Sequence, residues 1–291
     1  MKPFLKLGVP KGSLQEATIK LFRKSGWKID VNTRNYFPEI DDEEIQCSIC
    51  RAQEMSRYVE SGTLDVGLTG KDWILENNSK VKMVADLVYS KVSQRPARWV
   101  LAVANESKFK KPEDLRGKKI ATELVNFTRR YFSEREIPVR VEFSWGATEA
   151  KIASGLADAV VEVTETGSTI HAHGLRIIEE LMLSNTQVIA NRESWKDPWK
   201  KEKVKQIVLL LQGAMRAEKL VGLKMNVPKE KLKEVVQQLP SLNAPTIANL
   251  YQSDWFSVET VVQEARVREL IPVLIKRGAQ GIIEYPLNKV I

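Results

Sequence analysis

The sequence lacks any long apolar run: nowhere in its 291 residues do the roughly eighteen consecutive apolar residues of a membrane-spanning helix occur. The opening MKPFLKLGVPKGS also lacks the uninterrupted apolar core of a secretory signal. The expectation is a cytoplasmic protein with no membrane role. Cysteine is scarce. Cys47 and Cys50 form a C-x-x-C in EIQCSICR, but Ile45, Cys47 and Ile49 alternate as in a strand, so the two thiols point to opposite faces. With no second pair to complete four zinc ligands, both read as reduced, structural cysteines. Histidine is scarcer in context, since His171 and His173 have no third ligand close by and receive no metal role. A basic block is missing too. The formal charge is +8 with a pI near 9.3, yet 45 Lys and Arg are scattered among 37 acids. That pattern gives no nucleic-acid surface and fits small anionic substrates.

What is present is concentrated in residues 149–170, EAKIASGLADAVVEVTETGSTI. An apolar run over 157–163 carries Val160, Val161 and Val163, β-branched residues that suit a strand buried on both faces. It breaks at Gly167, where the backbone can turn tightly, and a helix start follows from Ser168. Successive backbone N–H groups in such a turn, backed by the open first turn of a helix, cradle a phosphate dianion. Thr166, Ser168 and Thr169 add hydroxyl donors. Glu162 and Glu165 would repel phosphate, so their natural partners are sugar hydroxyls or a Mg²⁺ ion carried by a diphosphate. A phosphorylated sugar satisfies both halves of the loop.

The rest of the first half repeats strand, charged loop and helix. A short strand over 5–9 runs into PKGSLQEATIKLFRKSGW, with Leu14, Ala17, Thr18, Leu21 and Phe22 on one helical face, Ser13 as N-cap and Glu16 completing a capping box. Lys11 charges that loop, although the segment is too short for a P-loop and lacks its second glycine. A strand ending at Arg51 precedes the helix RAQEMSRYVESG, and the strand DVGLT stops at Gly70 before Lys71, Asp72 and Trp73 open another helix. These βα units end their strands in charged residues at one sheet edge, where open α/β sheets bind ligands.

The block from Glu149 through Gly155 to T-G-x-T resembles the signature of the ATP phosphoribosyltransferase family. The L-P-K-G-x-L-like start, R-x-x-E and G-L-T-G-K-D are also family-like. Two departures are Glu162, where many members have Asp, and Ser13, where Arg is common. The resemblance implies condensation of ATP with 5-phosphoribosyl 1-diphosphate (PRPP), releasing diphosphate, as the first step of histidine biosynthesis. It implies that Glu162, Thr164, Glu165, Thr166, Gly167, Ser168 and Thr169 hold PRPP. Lys11, Gly12, Arg51, Gly70 and Asp72 would line the ATP side, with Lys11 and Arg51 catalytic and Mg²⁺ entering on the substrate diphosphate.

The remaining pattern gives an architecture. A break over 94–96 begins a second α/β lobe with strands around KKIATEL and PVRVEFS and helices over FTRRYFSER and 147–154. The chain returns to the first lobe after 177–183. The expectation is an α/β fold: a two-lobed, periplasmic-binding-protein-like core, with lobe I over 1–94 and 184–218 and lobe II over 95–183. After the helix KVKQIVLLLQGAMRAEKL, residues 219–291 read βαββαβ, the ferredoxin-like order, with PKEKLKEVVQQL as the first helix. The resemblance places this as the regulatory domain of the family's long form. It implies histidine inhibition through Asn226, Leu242, Thr246 and Gly281, homo-oligomers from dimer to hexamer, and no separate regulatory subunit. Asn226 replaces an Asp found in some relatives. The rival class, a noncatalytic two-lobed amino-acid receptor or regulator, predicts an export signal or a DNA-reading helix pair, and neither stands in the sequence.

Overall fold

The computed structural model describes residues 3–31, 36–88, 96–146, 148–240 and 244–291. Its chain divides into two compact units: residues 1–20 with 27–208, and residues 21–26 with 209–291.

The first unit holds two sheets. Lobe I begins with β1 (Leu5–Lys11), α1 (Gln15–Ser25), the two-residue strands β2 (Ile29–Asp30) and β3 (Glu39–Ile40), and β4 (Ile45–Arg51). It continues through α2 (Ala52–Glu60), β5 (Val66–Gly70), α3 (Lys71–Asn77) and β6 (Lys82–Leu87). Lobe II follows as β7 (Ala97–Ala104), β8 (Lys119–Thr122), α4 (Val125–Ser133) and β9 (Arg140–Phe143). Then come α5 (Ala150–Ala153), β10 (Ala159–Thr164), α6 (Ser168–Ala172) and β11 (Leu175–Ser184). Next, β12 (Thr186–Ala190) returns to the first sheet, whose order is β4-β1-β5-β12-β6, while the second runs β11-β7-β10-β8-β9. Two α/β lobes joined by two crossings are the periplasmic-binding-protein-like architecture expected.

Apolar alternation explains the core. In β4, Ile45, Cys47 and Ile49 are buried on one face, and α2 covers the sheet with Met55 and Val59. Both thiols are free, and burial pushes each up to about 12. Lobe II packs Trp99, Leu101, Ile120, Leu124, Phe132 and Val161 into its own cluster. Several local expectations need correction. Strand β1 runs on through Pro10 to Lys11, because its parallel partner β4 continues to Arg51 and the two stay in register. Helix α1 starts at Gln15, so Ser13 lies outside the cap position. In β10, Val160 and Val161 are fully buried but Val163 is 41% exposed: the ladder with β8 ends at Val161, while that with β7 continues to Thr164. Ala147 and the 94–95 crossing lie outside the described residues, and the short helix α5 begins at Ala150.

The long helix α7 (Pro198–Ala217) passes from the first unit into the second. The second unit adds β13 (Leu220–Pro228), α8 (Leu232–Val236), β14 (Thr246–Asn249), β15 (Trp255–Gln263), α9 (Glu264–Lys276) and β16 (Gln280–Pro286). Sheet order β14-β15-β13-β16, with every neighbour antiparallel, is ferredoxin-like. Leu223, Met225, Val227, Val258 and Leu274 form its core. Its first helix is shorter than the sequence pattern predicts: a 3-10 turn over Lys229–Lys231 precedes only five α-helical residues, of which Val235 alone is buried. Among the described residues no helix is long and apolar enough to cross a membrane.

Candidate functional site

Three parallel strand ends build one wall of a cleft of about 680 Å³, within the range of small-molecule sites. Register sets Lys11 beside Arg51 at the ends of β1 and β4, and β5, hydrogen-bonded to β1, ends at Gly70. Lys11, Gly12, Ser13, Arg51, Gly70 and Asp72 all line the cleft. The two cations rest on aromatic rings. Lys11 Nζ sits 4.5 Å from the Tyr36 ring centre and donates to its hydroxyl at 3.4 Å. The Arg51 guanidinium lies 5.5 Å from the ring centre of Trp145, a lobe II residue 62% exposed.

The opposite wall is the loop after β10, where Thr164, Glu165, Thr166, Ser168 and Thr169 face the cleft. Gly167 has φ +84°, a left-handed conformation that disfavours any side chain. Its N–H donates to Thr164 Oγ1 at 2.8 Å, and the Thr166 and Ser168 hydroxyls are 2.9 Å apart. The loop is thus closed on itself, with its hydroxyls on the cleft side.

Two expected residues sit differently. Glu162 and Gly167 are not among the cleft-lining residues. Glu162 Oε1 accepts from Val163 N at 3.1 Å. Burial pushes its carboxyl up to about 7, opposed by bonds from Val163 and Thr148 and reinforced by the charges of Glu123 and Glu149. Asp72 lines the cleft, yet its carboxylate is bonded within the protein. Its Oδ2 accepts from Trp99 Nε1 at 2.7 Å, and its Oδ1 from Trp73 N at 2.9 Å. Burial raises its carboxyl despite these bonds. Both oxygens are engaged by the protein. Gly70 belongs to this arrangement, because a Cβ there would collide with Asp72 Oδ1.

The structure adds residues that sequence reasoning missed. Trp99 and Glu123 line the cleft from lobe II, and Ser184, Asn185 and Thr186 line it from the second crossing. Glu123 is raised by burial, while an N–H from Gly146 pulls it down and the Asp72 charge pushes it up. Arg98 stands opposite Thr164 in the antiparallel pair and pairs with Glu180 at 3.3 Å. His173 Nδ1 contacts Thr169 O at 2.8 Å. Among the described residues no three His, Cys, Asp or Glu side chains are arranged to hold a metal.

In the second unit, Asn226 and Gly281 come together: a Cβ on Gly281, at φ +57°, would lie 3.5 Å from Asn226 Nδ2. Thr246 does not join them, because β15 lies between its strand and β13. Leu242 lies outside the described residues.

A family model described as HisG: ATP phosphoribosyltransferase matches residues 51–213, more than half of the chain. The chain belongs to the ATP phosphoribosyltransferase family. A second model, HisG, C-terminal domain, matches residues 217–289. An ATP phosphoribosyltransferase from Solidesulfovibrio magneticus is 71% identical over 287 residues, 99% of this chain and 98% of the relative. One from Desulfatibacillum aliphaticivorans is 68% identical over 290 residues, 100% of this chain and 99% of the relative. A solved ATP phosphoribosyl transferase (HisG:HisZ) complex from Thermotoga maritima aligns with TM-score 0.61 and 29% identity, covering 72% of this chain and 97% of that one. The protein is therefore a phosphoribosyltransferase of histidine biosynthesis, joining ATP to PRPP to give N1-(5-phosphoribosyl)-ATP and diphosphate. Enzymes of this family work with a metal ion.

Proposed function

We propose that the two walls of the cleft divide the two substrates between them. Thr164, Glu165, Thr166, Gly167, Ser168 and Thr169 hold PRPP, with the backbone N–H groups around Gly167 on its 5-phosphate and Glu165 toward the ribose hydroxyls. Lys11, Gly12 and Arg51 take the nucleotide side, over the floor at Gly70. The observation that carries this is a closed glycine turn facing two strand-end cations across one cleft. In the reaction a bond forms from adenine N1 to ribose C1 and the C1–O bond to diphosphate breaks, so negative charge grows on the leaving group. Alignment and fixed positive charge supply the rate, with Arg51 and Lys11 as the charges. No side-chain nucleophile is required.

The metal is Mg²⁺ in this reading. Such an ion would keep several waters and be bound mainly through substrate oxygens. Glu165 and Glu123, which line the cleft, would hold its waters. The ion supplies charge neutralisation on the diphosphate.

The second unit is the regulatory part, acting in the cytoplasm as a sensor of histidine. Asn226 and Gly281 offer one half of a pocket, and Thr246 on the far edge strand belongs to a half completed by another subunit, which gives dimers that assemble to hexamers. Because residues 217–289 match a C-terminal domain of the family, no separate regulatory subunit is needed. Diphosphate release tests the division of substrates: it should require ATP and PRPP together and be absent with either alone. Release from PRPP alone would mean that the nucleotide side takes no part.

A further inference from the structure

Helix α3 belongs to lobe I by sequence, since it follows β5 directly, but its buried face is bonded to lobe II. Asp72 and Glu76, one turn apart and so on the same face, are 7% and 9% exposed. Asp72 accepts from the Trp99 indole of lobe II at 2.7 Å and its backbone N–H donates to Ser184 Oγ at 3.1 Å. Trp99 stands two residues into the lobe II strand after the first crossing, and Ser184 ends the strand before the second. The Asp72 bonds thus meet both crossings. Glu76 accepts from Asn126 N at 3.0 Å and Phe127 N at 2.9 Å, two of the open first-turn N–H groups of α4 that have no partner within their own helix. Arg130 of lobe II bonds the Leu75 carbonyl, and Trp73 packs on the lobe II core with its ring edge-on to Trp99 at 6.5 Å.

The other rim is built differently. There the lobe I cation Arg51 is exposed and meets lobe II through the face of Trp145. A buried carboxylate that loses its donor is left uncompensated, whereas an exposed cation over a ring exchanges readily with water. Among the described residues, one rim is held by hydrogen bonds to buried groups and the other by a cation–ring contact.

We propose that α3 is the fixed edge of the cleft, with Asp72 and Glu76 as positioning residues that set the distance between the nucleotide wall and the PRPP loop. This rests on the assignment of the two substrates to opposite lobes. Neither residue needs to touch substrate to matter, because an error of about 1 Å between reacting groups costs on the order of a hundredfold in rate.

Asp72→Asn tests it with little change of shape. The carboxylate offers one oxygen to each of two donors, while an amide has a single acceptor oxygen and sets its NH₂ against the other donor. We expect kcat to fall about tenfold or more, while ATP and PRPP affinities by calorimetry stay within about twofold. Adding Trp99→Phe removes the surplus donor, so the double variant should recover about threefold or more over Asp72→Asn, a coupling expected only of residues in contact. Three results overturn the proposal: a weakened ATP affinity with kcat intact, which makes Asp72 a direct nucleotide contact; losses that multiply in the double variant; or a wild-type kcat in Trp99→Phe alone. That last variant keeps the test decisive if Asp72→Asn does not fold. The underlying division of substrates fails on a separate readout, an unchanged PRPP affinity in Gly167→Val.

Discussion

Replacing Gly167 by Val probes the PRPP loop at the one position where backbone geometry is the whole issue. Space is available: a Cβ there would meet Arg98, His171 and Ile177 atoms at 3.7 Å, ordinary contact distance. The conformation is the obstacle. At φ +84° an L-residue is disfavoured by about 1–2 kcal/mol, and a β-branched one lies at the upper end. The residue escapes by leaving the left-handed region, which breaks the bond from Gly167 N to Thr164 Oγ1, worth about 1 kcal/mol. Holding the turn costs the strain and leaving it costs the bond, so a loss of about 1–2 kcal/mol corresponds to roughly a five- to thirty-fold weaker PRPP affinity, at tenfold per 1.4 kcal/mol. Calorimetry with PRPP and, separately, with ATP checks this, and ATP affinity should hold. Gly167→Ala should lose less, about five- to tenfold. An unchanged PRPP affinity in the Val variant would refute the loop assignment.

Arg51→Ala should lower turnover about a hundredfold, the usual effect of removing one charge-stabilising donor at about 3 kcal/mol; near-normal turnover with an intact fold would return Arg51 to the class of solvated surface charges. Glu162 predicts a pH effect on stability. Its folded-state carboxyl titrates at about 7 rather than 4.5, so the folded state binds more protons between those values and stability falls as pH rises through that window. Melting temperature against pH should show this slope, and Glu162→Gln should flatten it. In the second unit, Asn226→Asp should strengthen histidine inhibition several-fold by giving the ammonium group a charge-assisted bond, and Thr246→Ala should weaken it; unchanged histidine sensitivity in both would remove this sheet from the inhibitor site.

Much of this was legible because function here follows local pattern. The turn at Gly167 announces itself by a β-branched strand, a glycine and clustered hydroxyls, and the structure gives that glycine a left-handed φ. Arg51 is readable as a strand end, because hydrophobic alternation stops there, whereas the local pattern puts Lys11 in a loop two residues past its strand. The hidden features are all long-range. Asp72 and Trp99 are 27 residues apart, and nothing near Asp72 in sequence tells a buried hydrogen-bond acceptor from a cleft-facing acid. Arg98 reaches Thr164 through antiparallel register, which no local motif encodes. Trp145 shares the Arg51 guanidinium only because a lobe II loop meets the end of a lobe I strand. Strand β1 ran past Pro10 because the ladder with β4 outweighs the local breaker.

The most direct test of the account is a crystal structure with PRPP and Mg²⁺ bound. It should show the 5-phosphate on the backbone N–H groups of residues 165–169, the diphosphate turned toward Arg51 and Lys11, and Asp72 still bonded to Trp99. A 5-phosphate bound at Lys11 and Arg51, with the 164–169 loop empty, would contradict it.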